Sequence, residues 1–192
     1  MLAPEEANLY PLFLKLEGRS VLVVGAGAVA ERKITSLLAA GACVRVVAPH
    51  ATEAIGKLSR EGALDWHARA FEDADADGAW LVIAATSSPD AQLRAAAAAT
   101  ARRAFVVAVD DPANASAYSG AVVERPPFTI AISSSGATPA LTRLVREVIE
   151  QFLPSKEWIE HAKRLRAKWQ AEGTPTGNRF AELVRSLKDH RL

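Results

Sequence analysis

A glycine-rich turn, Gly-Ala-Gly-Ala-Val-Ala at residues 25–30, is the first feature of this sequence whose residue types could bind a ligand. Gly25 permits a sharp turn out of a strand, and the missing Cβ at Gly27 lets a pyrophosphate approach the backbone. The first N–H groups of a helix are unpaired and lie at the positive end of its dipole, so a helix starting here would bind phosphate. The turn therefore predicts a bound dinucleotide. The residues of the turn predicted to contact the dinucleotide are Gly25, Gly27, Ala28, Val29 and Ala30.

The segments on both sides of the turn have the context that dinucleotide binding requires. Residues 20–24 are a continuous apolar run, typical of a buried parallel strand, and residues 28–40 predict an amphipathic helix that ends at Gly41. A glycine motif alone is weak evidence, but here it lies directly between a buried strand and a helix. The alternative is a tight turn between strand and helix that binds no ligand.

The end of the second predicted strand bears on the choice between NAD and NADP. A dinucleotide site usually has an acidic residue about 20 residues after the glycines, where it binds the ribose hydroxyls. Here residues 44–47 are followed by Ala48, Pro49 and His50, which include neither that acid nor an arginine for a 2′-phosphate. We therefore predict NAD from the missing arginine alone, and expect ribose contacts from the backbone near Pro49 and His50.

Asp110 is the candidate proton acceptor. It follows the apolar strand at residues 105–109, and ligands of open α/β sheets bind beyond the carboxyl ends of the strands. A carboxylate there, close to a nicotinamide, can accept a proton as hydride leaves a substrate. From its position alone, an ordinary loop-capping role fits Asp110 equally well. Its neighbour Asp111 precedes Pro112 and is predicted to form a turn.

A second candidate anion site lies at residues 133–139, which read Ser-Ser-Ser-Gly-Ala-Thr-Pro. These small residues lead into a helix whose first N–H groups are free to bind a carboxylate or phosphate. The pattern also predicts an ordinary helix start, with Thr138 as the N-cap and Pro139 as the first helical residue. Ligand binding would be additional to that capping. The substrate contacts predicted here are Ser133, Ser134, Gly136 and Arg143.

Composition and charge exclude several classes of function. The net charge of +1 offers no electrostatic basis for binding nucleic acid. The 4 histidines have no metal-ligand spacing, so we predict no metal site. The acidic residues 72–78 lack the glutamate of a calcium loop, and we predict a solvated loop for this segment. The single cysteine, Cys43, the acidic N-terminus and the lack of a long apolar run predict a cytoplasmic protein without a membrane segment.

The order of the elements predicts an α/β fold. Apolar strands alternate with helices, which is typical of a Rossmann-like parallel sheet covered on both faces. The clearest strands are residues 20–24, 44–47, 80–84 and 105–109. After Asp110 the pattern changes to two strands around residues 125–127 and then to amphipathic helices. The predicted parts are a Rossmann domain at residues 1–112, a small α+β region at 113–153 and a C-terminal helical domain at 154–192.

Taken in order, these segments resemble the precorrin-2 dehydrogenase family, which also forms the N-terminal module of bifunctional siroheme synthases. The resemblance extends from about Tyr10 to Phe152 and pairs the glycine turn, followed by Glu-Arg-Lys at 31–33, with the serine-rich sequence at 133–139. The other matching segments are Tyr-Pro-Leu-Phe at 10–13, Ala-Ala-Thr at 84–86, Val-Asp at 109–110 and Arg-Leu-Val-Arg-Glu at 143–147.

The resemblance implies NAD-dependent oxidation of precorrin-2 to sirohydrochlorin. Some members of the family also insert ferrous iron into sirohydrochlorin, a lyase activity that yields siroheme, and the resemblance raises the same activity here. Asp110 matches the family's essential acid/base, and Ser134 matches a serine of the substrate region that is phosphorylated in some members. The family further implies a homodimer, with residues 113–153 as the dimerisation region. The cofactor contacts implied by the same match are Ala28, Val29, Pro49, His50 and Thr86.

Two positions depart from the family pattern. Val107 replaces an asparagine that bifunctional relatives often carry three residues before the aspartate, and Ser135 replaces a glycine. Both departures leave the geometry of the substrate site open. Two other functions stay open as well. A non-enzymatic NAD-sensing regulatory module would need the Rossmann domain but not Asp110, and a chelatase could merely retain its NAD site.

Overall fold

The computed structural model describes residues 9–135 and 138–189, with side chains up to residue 186. It divides the chain into two compact units, Met1–Ser119 and Gly120–Leu192. The first unit thus ends at Ser119, whereas the predicted Rossmann domain ended at residue 112. The cause lies in the segment after residue 112, where the Ser116 and Ala117 N–H groups both donate to the Val106 carbonyl at 2.9 Å. The boundary expected after residue 153 stays a prediction.

The first unit is built on one sheet of five parallel strands in the order β3-β2-β1-β4-β5. This arrangement confirms the predicted α/β, Rossmann-like fold. The elements of the unit are β1 (Ser20–Val24), α1 (Ala28–Ala39), β2 (Cys43–Val47), α2 (Glu53–Arg60), β3 (Asp65–His67), β4 (Leu81–Ala84), α3 (Pro89–Ala101) and β5 (Phe105–Ala108).

The core of this unit lies on both faces of the sheet. Val21 and Val23 of β1 belong to one buried apolar cluster, which also contains Ile34 of α1. Leu22 and Val24 belong to a second cluster on the other face. Because successive strand residues point to opposite faces, β1 is apolar at every position from Val21 onward. The small buried side chains of α3 let this helix pack closely in the second cluster: Ala95, Ala96, Ala98 and Ala99.

The register of the strands brings four carboxyl ends to one edge of the sheet. Val24 at the end of β1 pairs with Val47 of β2 and with Ala84 of β4. Ala84 in turn pairs with Ala108 of β5. The loops that follow these strands are therefore neighbours. Because the strand order reverses direction between β1 and β4, the edge beside them is where open α/β sheets bind ligands.

The second unit consists of a hairpin and three helices, as the changed pattern after Asp110 predicted. Strands β6 (Ala121–Arg125) and β7 (Phe128–Ile132) are antiparallel, joined through a cis peptide between Pro126 and Pro127. The helices are α4 (Pro139–Phe152), α5 (Lys156–Glu172) and α6 (Thr176–Asp189). Across the described ranges of both units, no helix has the length and apolar character that crossing a membrane requires.

Side-chain hydrogen bonds join the elements of the second unit. The guanidinium of Arg125 in β6 donates to the carbonyls of Glu150 and Leu153, each at 2.9 Å, and so pairs with the carbonyl end of α4. Trp169 of α5 is buried, and its indole N–H donates to Glu182 Oε2 of α6 at 2.6 Å. These contacts tie α4 to the hairpin and α5 to α6.

Candidate active site

A cleft of about 800 Å³ opens at the carboxyl ends of the strands, within the first unit. It is formed by the loops that follow β1, β2, β4 and β5 and by the first two turns of α1 and α3. All of the residues predicted to contact the cofactor in this unit line it except Ala30, which is buried in α1 beneath them. The lining residues are Gly25, Ala26, Gly27, Ala28, Val29, Pro49, His50, Ala85, Thr86, Ser87, Pro89, Gln92, Val109, Asp110 and Asp111.

Gly25 joins the ends of three strands. Its N–H donates to the Val47 carbonyl at 2.9 Å, and its φ of +103° lies in a region that L side chains rarely adopt. A Cβ at this position would lie 2.2 Å from the Ala85 carbonyl oxygen. The sharp turn expected after β1 is therefore present, and only glycine fits it.

We expect Gly25→Ala to lower the free energy of unfolding by about 2–4 kcal/mol, because strain at φ and a clash with backbone act together. Urea denaturation followed by circular dichroism measures this. The matched control is Gly62→Ala, where φ is +73° but no heavy atom lies within 4 Å of the added Cβ. This control should lose only about 1–2 kcal/mol. Equal losses in the two variants would contradict the close approach of Ala85.

Gly27 leaves the start of α1 open toward the cleft. It is the N-cap of the helix, and no side chain caps the first turn. The first bond of the helix runs from the Glu31 N–H to the Gly27 carbonyl at 3.0 Å, so the N–H groups of Ala28, Val29 and Ala30 precede the helical ladder. By contrast, side chains of Thr52, Ser88 and Ser155 cap α2, α3 and α5.

The space above Gly27 fits a diphosphate. No heavy atom lies within 4 Å of an ideal Cβ on Gly27, and its φ of −86° is ordinary, so the fold itself does not require glycine there. A glycine that the fold does not need, at an uncapped helix start, is the cradle that a phosphate group requires.

The rim of the cleft beyond β2 is formed by Pro49 and His50, both exposed. Two contacts of Thr52 hold this loop against the glycine turn. The Thr52 N–H donates to the Ala26 carbonyl at 3.0 Å, and the Thr52 hydroxyl donates to Glu31 Oε2 at 2.7 Å. Pro49 and His50 thus have a defined position beside the glycine turn, where the sequence had predicted the ribose contacts.

The opposite wall is formed by the loop between β4 and α3. Thr86 lines the cleft and its Oγ1 accepts a hydrogen bond from the Ser88 N–H at 3.2 Å. Ser87 and Pro89 also line the cleft but were not predicted. Their position after the strand adjacent to β1 is the signal that would have identified them, because this loop lies at the reversal of the strand order.

Asp110 lies in the cleft with an exposed side chain that has no hydrogen-bond partner among the described residues. Its φ of +58° is the left-handed conformation, which Asp adopts more readily than most residues but at a cost in free energy. Such backbone strain concentrates at functional sites. A loop-capping side chain would have its partner in the loop, and none of the described loop residues pairs with this carboxylate; its role as proton acceptor stays a prediction.

Asp111 has the turn-forming role that its sequence position predicted. Its Oδ2 accepts a hydrogen bond from the Asn114 Nδ2 at 2.8 Å, and it precedes a short 3-10 turn at Pro112–Asn114. Asp111 also lines the cleft. The two adjacent carboxylates therefore differ in their environment: that of Asp111 pairs with Asn114, whereas that of Asp110 pairs with none of the described residues.

The predicted substrate residues belong to the second unit. Ser134 Oγ accepts hydrogen bonds from the Thr138 N–H at 3.3 Å and from the Thr142 hydroxyl at 2.7 Å. Ser133 Oγ accepts from the Ser135 N–H at 3.1 Å. Arg143 is mostly exposed and its Nε donates to Glu147 at 2.9 Å. Gly136 lies outside the described residues.

The start of α4 differs in one detail from the predicted cap. Thr138 is the N-cap residue, as expected, but its side chain makes no capping hydrogen bond. Ser135, where the family pattern has a glycine, has a φ of +52°. That conformation favours glycine, which explains the family preference at this position and makes Ser135 a strained exception.

The prediction of a solvated acidic loop at residues 72–78 is wrong at Asp75. This side chain is buried, and both of its oxygens accept hydrogen bonds from the Arg69 guanidinium, at 2.5 and 2.8 Å. The hydrogen bonds from Arg69 lower the pKa of Asp75 below its usual value. Within the described ranges, no three His, Cys, Asp or Glu residues are grouped so that they could hold a metal ion.

The family of the chain follows from its sequence profile. The profile of the NAD_binding_7 family, described as "Putative NAD(P)-binding", matches residues 12–121, more than half of the 192 residues. The chain belongs to this family. Fold, cleft and family together define a protein that binds a nicotinamide dinucleotide.

The most similar curated relatives include several siroheme synthases, which confirms the resemblance noted in the sequence. Siroheme synthase 1 of Cronobacter sakazakii is 49% identical over 145 residues, 76% of this chain and 31% of the relative. Siroheme synthase 1 of Aeromonas salmonicida is 38% identical over 184 residues, 95% of this chain and 39% of the relative. The chain therefore spans only 31–39% of the length of these relatives.

The fold is also similar to that of a solved structure, "SirC, precorrin-2 dehydrogenase". The TM-score is 0.76, and the match covers 92% of this chain and 88% of that one at 23% sequence identity. A match of this extent includes elements of both units, so the Rossmann-like sheet and the helices that follow it occur together in a known fold.

Proposed function

We propose that this protein binds NAD in the cleft and oxidises precorrin-2 to sirohydrochlorin. One observation carries the proposal: the open, uncapped start of α1 at Gly27 lines the same cleft as the carboxylate of Asp110, which has no partner among the described residues. A diphosphate site and a free base are the two groups that a nicotinamide-dependent dehydrogenase must supply. The similarity to siroheme synthases supports precorrin-2 as the substrate.

The residues that would hold the cofactor follow from the geometry of the cleft. The N–H groups of Ala28 and Val29 would bind the diphosphate, Pro49 and His50 would contact the ribose, and Thr86 would line the wall. When bound, NAD supplies the acceptor for the hydride that leaves the substrate. We propose NAD rather than NADP because neither Pro49 nor His50 offers the guanidinium that a 2′-phosphate prefers.

Asp110 would act as the proton acceptor. The oxidation removes one hydride and one proton from the macrocycle, and the carboxylate of Asp110 would take the proton. Its oxygens are exposed and pair with none of the described residues, so they are available to a bound substrate. Most of the remaining acceleration would come from holding two planar reactants in the correct orientation.

The substrate carries many carboxylates, so it needs cationic or N–H donor groups at its edges. We propose that Ser133, Ser134 and Arg143 bind these carboxylates, together with Gly136, which lies outside the described residues. The hydroxyl of Ser134 already organises this turn through its two hydrogen bonds. The guanidinium of Arg143 is exposed and would exchange its contact with Glu147, a surface pair of little net strength, for a substrate carboxylate.

Iron insertion is a second candidate activity of the same carboxylate, with Fe2+ as a substrate. A metal enters a tetrapyrrole only when the pyrrole nitrogens lose their protons, and a free carboxylate in the cleft provides a base for that step. The lack of a partner for Asp110 among the described residues is the observation that favours it.

We further propose a homodimer formed through α4. No residue of this helix is buried, yet one of its faces is apolar along its whole length, an arrangement typical of an interface. Light scattering after gel filtration should give twice the chain mass of 20.5 kDa. The exposed residues of this face are Leu141, Leu144, Val145, Val148 and Phe152.

A cytoplasmic location is proposed from the thiol of Cys43. This cysteine is free and exposed. Exposed free thiols persist in reducing compartments, where NAD-dependent metabolism also takes place. Cell fractionation with an antibody against the chain tests the location.

The deciding experiment mixes the protein with precorrin-2 and NAD under anaerobic conditions. We expect NADH and sirohydrochlorin to appear together in equal amounts, and neither to form without the protein. Binding of NAD without turnover would instead support the sensor, and sirohydrochlorin metallation with ferrous or cobaltous ion above the protein-free rate would support the chelatase. If NADH does not form although NAD binds, the dehydrogenase proposal is wrong.

A further inference from the structure

The carbonyl of Val109, directly before Asp110, is held by a side chain of α3. The Val109 N–H continues the sheet by donating to the Ala84 carbonyl at 2.9 Å. Its carbonyl accepts a hydrogen bond from Gln92 Nε2 at 2.7 Å. Val109 is thus bound at both of its polar groups, one by the sheet and the other by Gln92.

This contact constrains the conformation of Asp110. The Val109 carbonyl and the Asp110 N–H belong to one planar peptide. Fixing the direction of the carbonyl therefore also fixes the positions of the Asp110 nitrogen and Cα. Asp110 is left-handed, with a φ of +58°, a conformation that must be held by its surroundings. Beyond Asp110, the Asp111 N–H makes only a long contact of 3.4 Å with the Ala108 carbonyl. Gln92 therefore provides a side-chain hold on the peptide that directly precedes Asp110.

Gln92 stands out from the rest of α3. The buried positions of this helix are alanines, whereas Gln92 is half-buried and lines the cleft. An alanine here could not reach the Val109 carbonyl. A long amide at this one position indicates a need for its hydrogen bond rather than for its volume.

We infer that Gln92 is a positioning residue: it holds the Val109 peptide so that the carboxylate of Asp110 lies in the cleft. The inference rests on the proposed function, since it assigns Gln92 to the base of that reaction. It predicts that removing the hydrogen bond impairs proton transfer without weakening cofactor binding.

The test compares Gln92→Met, which keeps the size but loses the donor, with Leu93→Met, an exposed neighbour on the same helix. We expect kcat for precorrin-2 oxidation to fall about tenfold in Gln92→Met, as for the loss of one buried hydrogen bond that orients a base. The Kd for NAD should stay within about twofold of the unsubstituted protein, and Leu93→Met should leave both quantities unchanged. A raised Kd with unchanged kcat would make Gln92 a cofactor contact and overturn the inference.

A second variant uses pH to restore the donor. Gln92→Glu is isosteric, but its ionised carboxyl cannot donate and repels the Val109 carbonyl. The carboxylates of Asp110 and Asp111 line the same cleft, and Asp90 lies two positions earlier on α3. Protonation of the introduced carboxyl restores the donor, so the ratio of its kcat to that of the unsubstituted protein should rise as the pH falls. Ala97→Glu, which adds a carboxylate at an exposed position of α3, should show a constant ratio. A constant ratio for Gln92→Glu as well would overturn the inference.

Hydrogen exchange provides a measurement that does not require activity. Gln92→Met should speed amide exchange in residues 109–114 and leave that of β1 and α1 unchanged. If the unsubstituted protein makes no NADH, the proposed function is wrong, but faster exchange would still show that Gln92 holds the Asp110 loop. If exchange in this segment does not change, Gln92 does not position Asp110, whatever the reaction.

Discussion

Asp110→Asn should lower kcat for precorrin-2 oxidation by about 100- to 10,000-fold, the usual contribution of a general base. Asparagine has the same shape and tolerates the left-handed conformation that the backbone has at φ +58°, so the fold and the cleft should be preserved. The Kd for NAD should be unchanged, because the proposed diphosphate site lies at α1. Stopped-flow measurement of NADH formation gives kcat, and fluorescence titration gives Kd.

Asp111→Asn is the matched control for this loss. Asp111 is adjacent and also lines the cleft, but its carboxylate already accepts a hydrogen bond from Asn114. The amide oxygen of asparagine can accept the same bond, so kcat should change by less than about threefold. If Asp111→Asn abolishes turnover while Asp110→Asn retains it, the assignment of the base is reversed. If both variants retain full activity, neither carboxylate takes the proton.

Gly27→Ala should weaken NAD binding by about 10- to 100-fold. The added methyl group would occupy the open space at the start of α1 and separate the diphosphate from the Ala28 and Val29 N–H groups. Losing a hydrogen bond to a charged group costs about 1.5–3 kcal/mol, which corresponds to that range. The free energy of unfolding should fall by less than about 1 kcal/mol, because the Cβ meets no heavy atom within 4 Å and φ is −86°.

Gly177→Ala provides the comparison for Gly27→Ala. Gly177 also has no heavy atom within 4 Å of an added Cβ, but it lies in α6, outside the unit that contains the cleft. Alanine should leave NAD affinity unchanged there. Isothermal titration measures affinity, and urea denaturation measures stability, on both variants. Unaltered affinity in Gly27→Ala would mean that the diphosphate is not bound at this turn.

The pair Gly25 and Gly27 illustrates what the sequence could and could not predict. The spacing of the glycines between an apolar strand and a helix located the turn and the start of α1 at Ala28. It assigned a conformational role to Gly25 and a role in ligand approach to Gly27. The surroundings of the two glycines support these different roles. A Cβ on Gly25 would clash with Ala85, whereas a Cβ on Gly27 would have no heavy atom within 4 Å. The clash between a Cβ on Gly25 and Ala85 could be found only in the tertiary structure, because Ala85 follows β4 and is distant from Gly25 in sequence.

Other parts of the site were not accessible from sequence patterns. Gln92 was overlooked because a polar residue on an alanine-rich helix is usually a solvated one, and its partner Val109 lies on another element. Asp75 was assigned to a solvated loop because local composition is acidic there, whereas Arg69 pairs with it in the folded chain. The first unit extends to Ser119, past the predicted domain boundary at residue 112, because the segment at Ser116 binds β5 through backbone contacts, which carry no side-chain signature.

The sequence alone determined the α/β class, the position of the glycine turn and the candidate base. Apolar periodicity and glycine spacing are local properties that each segment carries independently of the others. Tertiary structure decided which of these groups meet. The parallel register places the ends of β1, β2, β4 and β5 at one edge, and with them Gly27, His50, Thr86 and Asp110. Contacts between distant segments, such as that of Gln92 with Val109, depend on how the strands are ordered, and no local pattern encodes that order.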